Sequence, residues 1–158
     1  ECIDDLKLSI DSLEPLDCDL LALLAGLRYR LGPRLEGAGL RLHWEVSDLP
    51  ALPWLDAQAA LHVLRILQEV LTNIIKHSGA REITVRTAQA PLDGRAGVQV
   101  LVEDDGHPFD RARAPTEGRK GLANMRTRAL ALQARLDWAP LAGGNRFTLW
   151  MPLERAGP

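Results

Sequence analysis

The chain is organised around residues 68–80, which read QEVLTNIIKHSGA. They form the second half of a predicted long helix that ends at a glycine turn. Apolar residues at three- and four-residue steps indicate one buried helical face: Ala60, Val63, Leu64, Leu67, Val70, Leu71, Ile74 and Ile75. A second, polar stripe also follows helical spacing, so its side chains are predicted to project from one side of the helix. Its members are Glu69, Asn73, Lys76 and His77.

Asn73 is the unusual residue of this polar stripe. An asparagine amide competes for backbone hydrogen bonds and is therefore a poor choice inside a helix. A solvated face of an amphipathic helix would explain the charged residues but not this amide. The alternative is a functional site, which requires other segments to supply complementary groups.

The composition is that of one soluble globular domain. The 158 residues are 46% apolar and 25% charged, enough to bury a sizeable core. A net charge of -2 argues against nucleic-acid binding through the overall field. Cys2 and Cys18 form no metal-binding or redox spacing, which favours a reducing compartment without structural zinc. We see no signal peptide or membrane-length apolar run, and a first residue other than Met suggests a fragment of a longer protein.

The order of predicted elements indicates the fold class. Residues 1–16 are expected to be the tail of a preceding helix and a linker, and residues 17–158 the domain itself. Strands separated by few helices predict an α+β fold, a two-layer sandwich whose mixed, mostly antiparallel sheet is covered on one face by about three helices. The predicted helices span about 17–36 and 56–78, and a third begins near Gly121 and has its last buried residue at Leu136. The predicted strands span about 40–46, 82–88, 97–103, 135–140 and 146–153. Residues 107–120 are predicted to form a loop.

Asp104, Asp105 and Gly106 follow the third predicted strand. Adjacent carboxylates before a glycine most often form a simple turn. The functional alternative is that one aspartate accepts a hydrogen bond from the amino group of a ligand. The glycine would then let a flat ring approach the backbone.

The third informative segment surrounds Gly121. A helix that begins at this glycine would point free N–H groups and a partial positive charge outward, which suits phosphate, whereas the alternative is a plain junction between loop and helix. Together the three segments predict a nucleotide site. It would have a carboxylate for the base, a cationic flap and helix start for phosphates, and the amide oxygen of Asn73 for Mg²⁺.

These motifs resemble those of the catalytic ATP-binding domain of two-component sensor histidine kinases. QEVLTNIIKHSGA resembles the N box of that family, VEDDG its first glycine box, GLANMRTRA its second, and GGNRFTLWMPL its closing strand pair. The similarity extends from about residue 17 to 153 and is closest to the subfamily whose regulators carry LuxR-type DNA-binding domains. It implies the Bergerat fold of the GHKL (HATPase_c) superfamily, which includes gyrase, Hsp90 and MutL.

The resemblance also implies a role for each site residue. Glu69 would activate or orient the phosphoacceptor histidine, and Asn73 would coordinate Mg²⁺. Lys76 would contact phosphate and His77 would lie near ribose or phosphate. Asp104 would bind the adenine amino group while Gly106 shapes the base pocket. Lys120, Gly121 and Leu122 would lie where the lid of the site meets the phosphates.

Two positions depart from the family pattern. Pro108 stands where the first glycine box usually has its second glycine, and it restricts the backbone. Arg119 stands where the second box usually begins with glycine, with Gly118 one residue early, and it adds charge beside the phosphates.

The implied function is transfer of the γ-phosphoryl group of Mg-ATP to a histidine. None of the four histidines precedes an acidic residue, so the acceptor is expected on a dimerisation domain before residue 1. The implied partners are that domain, a second copy of the parent and a LuxR-type response regulator, without direct nucleic-acid binding. The domain would be cytoplasmic, and the parent could carry an inner-membrane anchor. The alternatives are a serine-directed kinase of the anti-sigma-factor type and a non-catalytic module that retains the fold.

Overall fold

The computed structural model describes residues 19–107 and 116–154, together with their side chains except those of His77 and residues 116–120. The predicted helix tail and linker at residues 1–16 lie outside these ranges. So do Pro108 and most of the loop predicted at 107–120.

Three α-helices and five strands form the described chain. The helices are α1 (Leu20–Gly37), α2 (Ala57–Asn73) and α3 (Thr116–Leu132), and a π-helical turn (Ile74–Ser78) follows α2 directly. The strands are β1 (Arg41–Glu45), β2 (Glu82–Gln89), β3 (Gly97–Asp104), β4 (Arg135–Leu141) and β5 (Gly144–Pro152). None of these described helices is long and apolar enough to cross a membrane.

Both long N-terminal helices begin at an aspartate cap. Asp19 Oδ1 accepts hydrogen bonds from the backbone N–H groups of Leu21 and Ala22 at 2.9 and 3.2 Å. Asp56 Oδ1 accepts one from Ala59 N at 2.8 Å. These carboxylates satisfy N–H groups that have no partner within the helix, which fixes where α1 and α2 start.

The five strands form one sheet in the order β1-β2-β3-β5-β4. Only β1 and β2 run parallel, and α2 lies between them in sequence because a parallel pair needs a crossover connection. The other three pairs are antiparallel. The turn between β2 and β3 has positive φ at Asp93 (52°) and Gly94 (77°), as a tight hairpin requires. The predicted mixed, mostly antiparallel sheet with three helices is confirmed.

The hydrophobic core lies between the helices and one face of the sheet. Alternate strand residues supply the sheet side, because successive side chains point to opposite faces; examples are Val85, Val100 and Leu149, which are buried. The predicted apolar face of α2 is buried as well, although Ile75 is only partly covered. Burial of each such side chain contributes about 1.5–3 kcal/mol relative to exposure. This core therefore holds α2 and α3 against the sheet.

The opposite face of the sheet carries a row of ion pairs across four strands. Arg86 Nε lies 3.0 Å from Glu45 Oε2 and 3.5 Å from Glu103 Oε1, and Glu103 Oε2 lies 2.7 Å from Arg146 Nε. Arg86, Glu45 and Arg146 are about half exposed in these pairs, whereas the Glu103 side chain is only 13% exposed. Pairs between exposed groups contribute little each, so Glu103 is the best-shielded member of this row.

Three local predictions were wrong. Residues 116–120 are helical, so α3 begins at Thr116 instead of Gly121. These residues contain no large apolar side chain, and the periodic signal on which the prediction relied was therefore absent. The long helix does not stay α-helical to Ser78, because its last turn is π-helical. Leu136 lies on β4, since α3 ends at Leu132.

Candidate functional site

The π-helical turn interrupts the polar stripe of α2. Ser78 closes this turn, because its Oγ donates to the carbonyl of Ile74 at 2.7 Å and accepts from the N–H of Ala80 at 3.1 Å. Gly79 then leaves the turn with a φ of +67°, in the left-handed region that favours glycine. A π-helical turn is wider than an α-helical one. Lys76 and His77 therefore do not continue the α-helical register of the two stripe residues before them.

The retained part of the stripe consists of Glu69 and Asn73, one turn apart on α2. Both side chains are half-buried, whereas Lys76 is exposed. Asn73 is the last residue of α2 and lies directly before the π-helical turn. The Asn73 amide therefore lies where the helix changes from α to π geometry, and such π-helical turns are frequent at functional sites.

Asp104 lies at the end of β3 on the face of the sheet that the helices cover. Its partner across the ladder is Asn145, two residues beyond the buried pair Val102 and Phe147. Asp104 Oδ1 accepts hydrogen bonds from Gly106 N at 2.8 Å and from Asn145 Nδ2 at 3.2 Å. Within the part of the chain that the structure describes, Oδ2 accepts none. One oxygen is thus fixed, and the other remains available to a ligand.

Asp105 ties two neighbouring strands together. Its Oδ1 accepts hydrogen bonds from the N–H groups of Arg81 and Glu82 at 2.7 and 3.0 Å, which ties the end of β3 to the start of β2. The backbone hydrogen bonds from Glu82 and Arg81 lower the pKa of the Asp105 carboxyl below its usual 3.8. The two adjacent aspartates therefore differ in what their carboxylates hold.

Gly106 is required by close packing against the π-helical turn. A Cβ at this position would stand 2.5 Å from the carbonyl oxygen of Ser78 and 2.6 Å from its Cβ. The next residue is held to the same place, because His107 N donates to Ser78 O at 2.7 Å. The glycine therefore lets the end of β3 approach the end of the long helix, a reason that the sequence alone did not reveal.

Gly121 lies against Glu69 where α3 crosses α2. A Cβ on Gly121 would overlap the carboxylate oxygen Oε1 of Glu69. Because α3 starts at Thr116, the N–H of Gly121 lies within the helix and is not a free terminal donor. The prediction of a phosphate-binding helix start at this glycine is therefore wrong. The adjacent Leu122 is 7% exposed and contributes its side chain to the core.

Two residues that join these segments were missed by sequence reasoning. Ser78 holds the π-helical turn, and Asn145 contacts both Asp104 and the carbonyl of His107, the latter at 2.7 Å. A Cβ on Gly144 would overlap the carbonyl oxygen of Asp104, so β5 approaches β3 closely just before this asparagine. The register that opposes Asn145 and Asp104 is a long-range property, and only the two glycines before Asn145 gave a local signal.

Asn73 is the single metal ligand that the sequence implies. Among the residues that the structure describes, no cluster of three or more His, Cys, Asp or Glu side chains could hold a metal ion. Mg²⁺ usually keeps several waters and phosphate oxygens and needs only one or two protein ligands. An amide at Asn73 is compatible with that requirement. Lys120 lies within α3, but its side chain and that of His77 fall outside the described part.

Comparisons with known proteins agree with this geometry. The family described as "Histidine kinase-, DNA gyrase B-, and HSP90-like ATPase" matches residues 58–155. The nitrate/nitrite sensor protein NarQ of Escherichia coli is 40% identical over 97 residues, which are 61% of this chain and 16% of that protein. The chain thus spans about a sixth of the length of this relative.

Solved structures show the same fold at low sequence identity. The histidine kinase domain of the Erythrobacter litoralis EL346 blue-light activated histidine kinase has a TM-score of 0.66 at 20% identity, over 96% of this chain and 72% of that one. Full-length ShkA in complex with AMPPNP has a TM-score of 0.67 at 22% identity, over 95% and 35%. The family match covers more than half of the chain and confirms the resemblance drawn from the motifs. The chain belongs to the histidine kinase-, DNA gyrase B- and HSP90-like ATPase family.

Proposed function

We propose that this chain is the catalytic domain of a sensor histidine kinase, which binds Mg-ATP and presents the γ-phosphoryl group to a histidine on a preceding dimerisation domain. The observation that carries the proposal is the Asp104 carboxylate, held through Oδ1 and open at Oδ2 on the helical side of the sheet. Asp104 Oδ2 would accept a hydrogen bond from the amino group of adenine, with Gly106 beside the base.

The end of the long helix would bind the phosphates. Asn73 would supply an oxygen to Mg²⁺, Lys76 a positive charge to a phosphate, and His77 a contact to ribose or phosphate. Lys120 would complete the phosphate side, with Gly121 and Leu122 next to it on α3 where this helix packs against α2. Catalysis of phosphoryl transfer is mostly positioning and electrostatic stabilisation, so these groups need to hold the nucleotide and its metal in place more than to react.

Glu69 would activate or orient the acceptor histidine. Its half-buried side chain lies on α2 one turn before Asn73, which brings it next to the phosphate end of the proposed site. A carboxylate can hold the imidazole in the tautomer that leaves a ring nitrogen free to attack. The carboxylate lies against α3, so the position of that helix would govern its reach.

The rest of the signalling path belongs to the same proposal. Residues 1–16 would end the dimerisation helix and link it to the domain at 17–158, and the parent would act as a homodimer. The phosphoryl group would pass to a response regulator, of LuxR type by analogy with the subfamily that the motifs resemble. The domain would work in the cytoplasm, whether or not the parent is anchored in the inner membrane.

The test is a thermal-shift and calorimetric titration of the 158-residue chain with ATP, ADP and GTP, each with and without Mg²⁺. We expect binding of ATP and ADP that Mg²⁺ strengthens, and weaker binding of GTP. The chain alone should not incorporate radiolabel from ATP, because its histidines lack the acceptor context. Absence of binding to every nucleotide would overturn the proposal and favour a non-catalytic module.

A further inference from the structure

We infer that Asn145 is a positioning residue that sets the base specificity of the proposed site. It does so by locking the Asp104 carboxylate to the backbone of His107, so that a single carboxylate oxygen faces the base. This inference rests on the proposed nucleotide function and adds a residue whose role the motifs did not suggest.

The hydrogen-bond partners of Asn145 determine how its amide is oriented. Nδ2 lies 3.2 Å from Asp104 Oδ1 and 2.7 Å from the carbonyl oxygen of His107. A carboxylate and a carbonyl only accept hydrogen bonds, so the NH₂ group has to face both. Its two hydrogens are thereby divided between the carboxylate at the end of β3 and the backbone of the turn that follows this strand.

The double contact fixes the orientation of the Asp104 carboxylate. Oδ1 receives hydrogens from two different elements, the Gly106 backbone and the Asn145 side chain. Rotation of the carboxylate would break both bonds, and bonds to a charged acceptor are the strong ones. Only Oδ2 is then presented to a base, and it can only accept. An adenine amino group donates to it, whereas the 6-keto oxygen of hypoxanthine or guanine would face it with a second acceptor.

The backbone of His107, whose carbonyl accepts the second hydrogen of the Asn145 amide, is itself held in place. His107 N donates to Ser78 O at 2.7 Å, and its ring lies beside Gly79, with Nε2 3.1 Å from where a Cβ would stand. Asn145 therefore joins Asp104 to the end of the long helix as well as to β5. A serine or threonine hydroxyl has one hydrogen and could serve only one of the two acceptors.

The experiment measures dissociation constants of Mg-ATP and Mg-ITP by calorimetry for the 158-residue chain and its variants. ITP differs from ATP at the base, where a keto oxygen replaces the amino group. The variants are Asn145→Leu, which removes the hydrogen bonds to Asp104 and to the carbonyl of His107, and Asn145→Ser, which keeps one donor. Thr148→Leu is the matched control, because it lies on the same strand but on the opposite face of the sheet.

We expect Asn145→Leu to weaken ATP binding about tenfold, the loss typical of a hydrogen bond to a charged group. Its affinity for ITP should stay unchanged, because ITP has no amino group for Asp104. Asn145→Ser should fall between the wild type and the leucine variant, and Thr148→Leu should match the wild type. If Asn145→Leu does not fold, Asn145→Ser still gives the comparison between ATP and ITP affinity.

Equal weakening of ATP and ITP would show a merely structural role and overturn the inference, as would unchanged ATP affinity in both Asn145 variants. A wild-type chain that binds neither nucleotide would instead overturn the proposed function. The two failures are therefore distinguishable.

Discussion

Glu69 and Gly121 face each other across the contact between α2 and α3, and the carboxylate of the first occupies the space that a side chain on the second would need. Gly121 is buried inside α3, five residues after Thr116, where glycine is an unfavourable helix residue. Its presence is explained by this contact. The pair therefore connects the proposed catalytic carboxylate to the helix that approaches the phosphate side of the site.

Gly121→Ala should lower the free energy of unfolding by about 1 kcal/mol, the low end of the usual cost of overpacking. The new methyl group would overlap Glu69 Oε1, and because this oxygen is the end of a flexible side chain, the carboxylate has to turn away from α3. In a Glu69→Ala background the same change should stabilise the chain by up to about 1 kcal/mol, since alanine is the better helix former. Urea denaturation of the four proteins measures the coupling, and stabilisation by Gly121→Ala with Glu69 present would contradict the contact.

Gly106→Ala should also destabilise the chain, by about 1–3 kcal/mol, because the added Cβ meets the Ser78 backbone. The matched control is Gly37→Ala at the end of α1, where nothing lies within 4 Å of the new methyl group. That change should be neutral or stabilising by up to about 1 kcal/mol. Denaturant unfolding compares the two, and an equal effect at both positions would rule out the packing explanation for Gly106.

His62 should make the fold less stable in mild acid. Burial, followed by the charge of Arg128, lowers the pKa of its imidazole below 6.5, while Asp56 opposes the shift. Its Nδ1 is buried without a hydrogen-bond partner among the described residues. The unfolded chain therefore binds the proton more readily than the folded chain. Stability should fall as pH drops below 6.5 and should level off below the folded pKa.

Melting temperatures of the wild type and of His62→Gln, measured between about pH 5 and 8, where an imidazole titrates, check this dependence. The wild type should lose more stability toward the acid end than the glutamine variant, whose side chain does not titrate. An identical pH profile for the two proteins would show that His62 does not contribute.

Much of the fold could be predicted from the sequence because its signals are local. The apolar face of α2 and the alternation along β2 and β3 each depend on neighbouring residues. The start of α3 was missed because residues 116–120 contain no large apolar side chain to mark a helical face. The π-helical turn was missed because its hydrogen-bond pattern depends on Ser78 and on packing against Gly106.

The site residues also fall into those that a local sequence signal marks and those that no local signal marks. Asp104 and Asn73 could be named from residue type and from family motifs, since each lies within a recognisable segment. The roles of Asn145 and of Gly121 depend on which strands and helices become neighbours, and no local pattern contains that information. The separation of Asp104 from Asp105 likewise required the register between β2 and β3.

The two adjacent aspartates are expected to differ in their effects. Asp105→Asn should lower the melting temperature, because its carboxylate holds Arg81 N and Glu82 N. Its pKa is lowered in the fold, so its contribution is present above the unfolded pKa near 3.8 and is lost as pH falls through the folded value. The difference in melting temperature between the wild type and this variant should therefore shrink in acid. A difference that stays constant as the pH falls would contradict this role of the charge.

The most direct test of the account is the dissociation constant of Mg-ATP for Asp104→Asn and Asp105→Asn, measured by calorimetry beside the wild type. Asp104→Asn replaces the accepting carboxylate by an amide and should weaken ATP binding at least tenfold, by about 1.5–3 kcal/mol. Asp105→Asn should bind ATP as the wild type does at a temperature where it is folded. Unchanged ATP affinity in Asp104→Asn would contradict the assignment of the base-binding carboxylate and, with it, the proposed site.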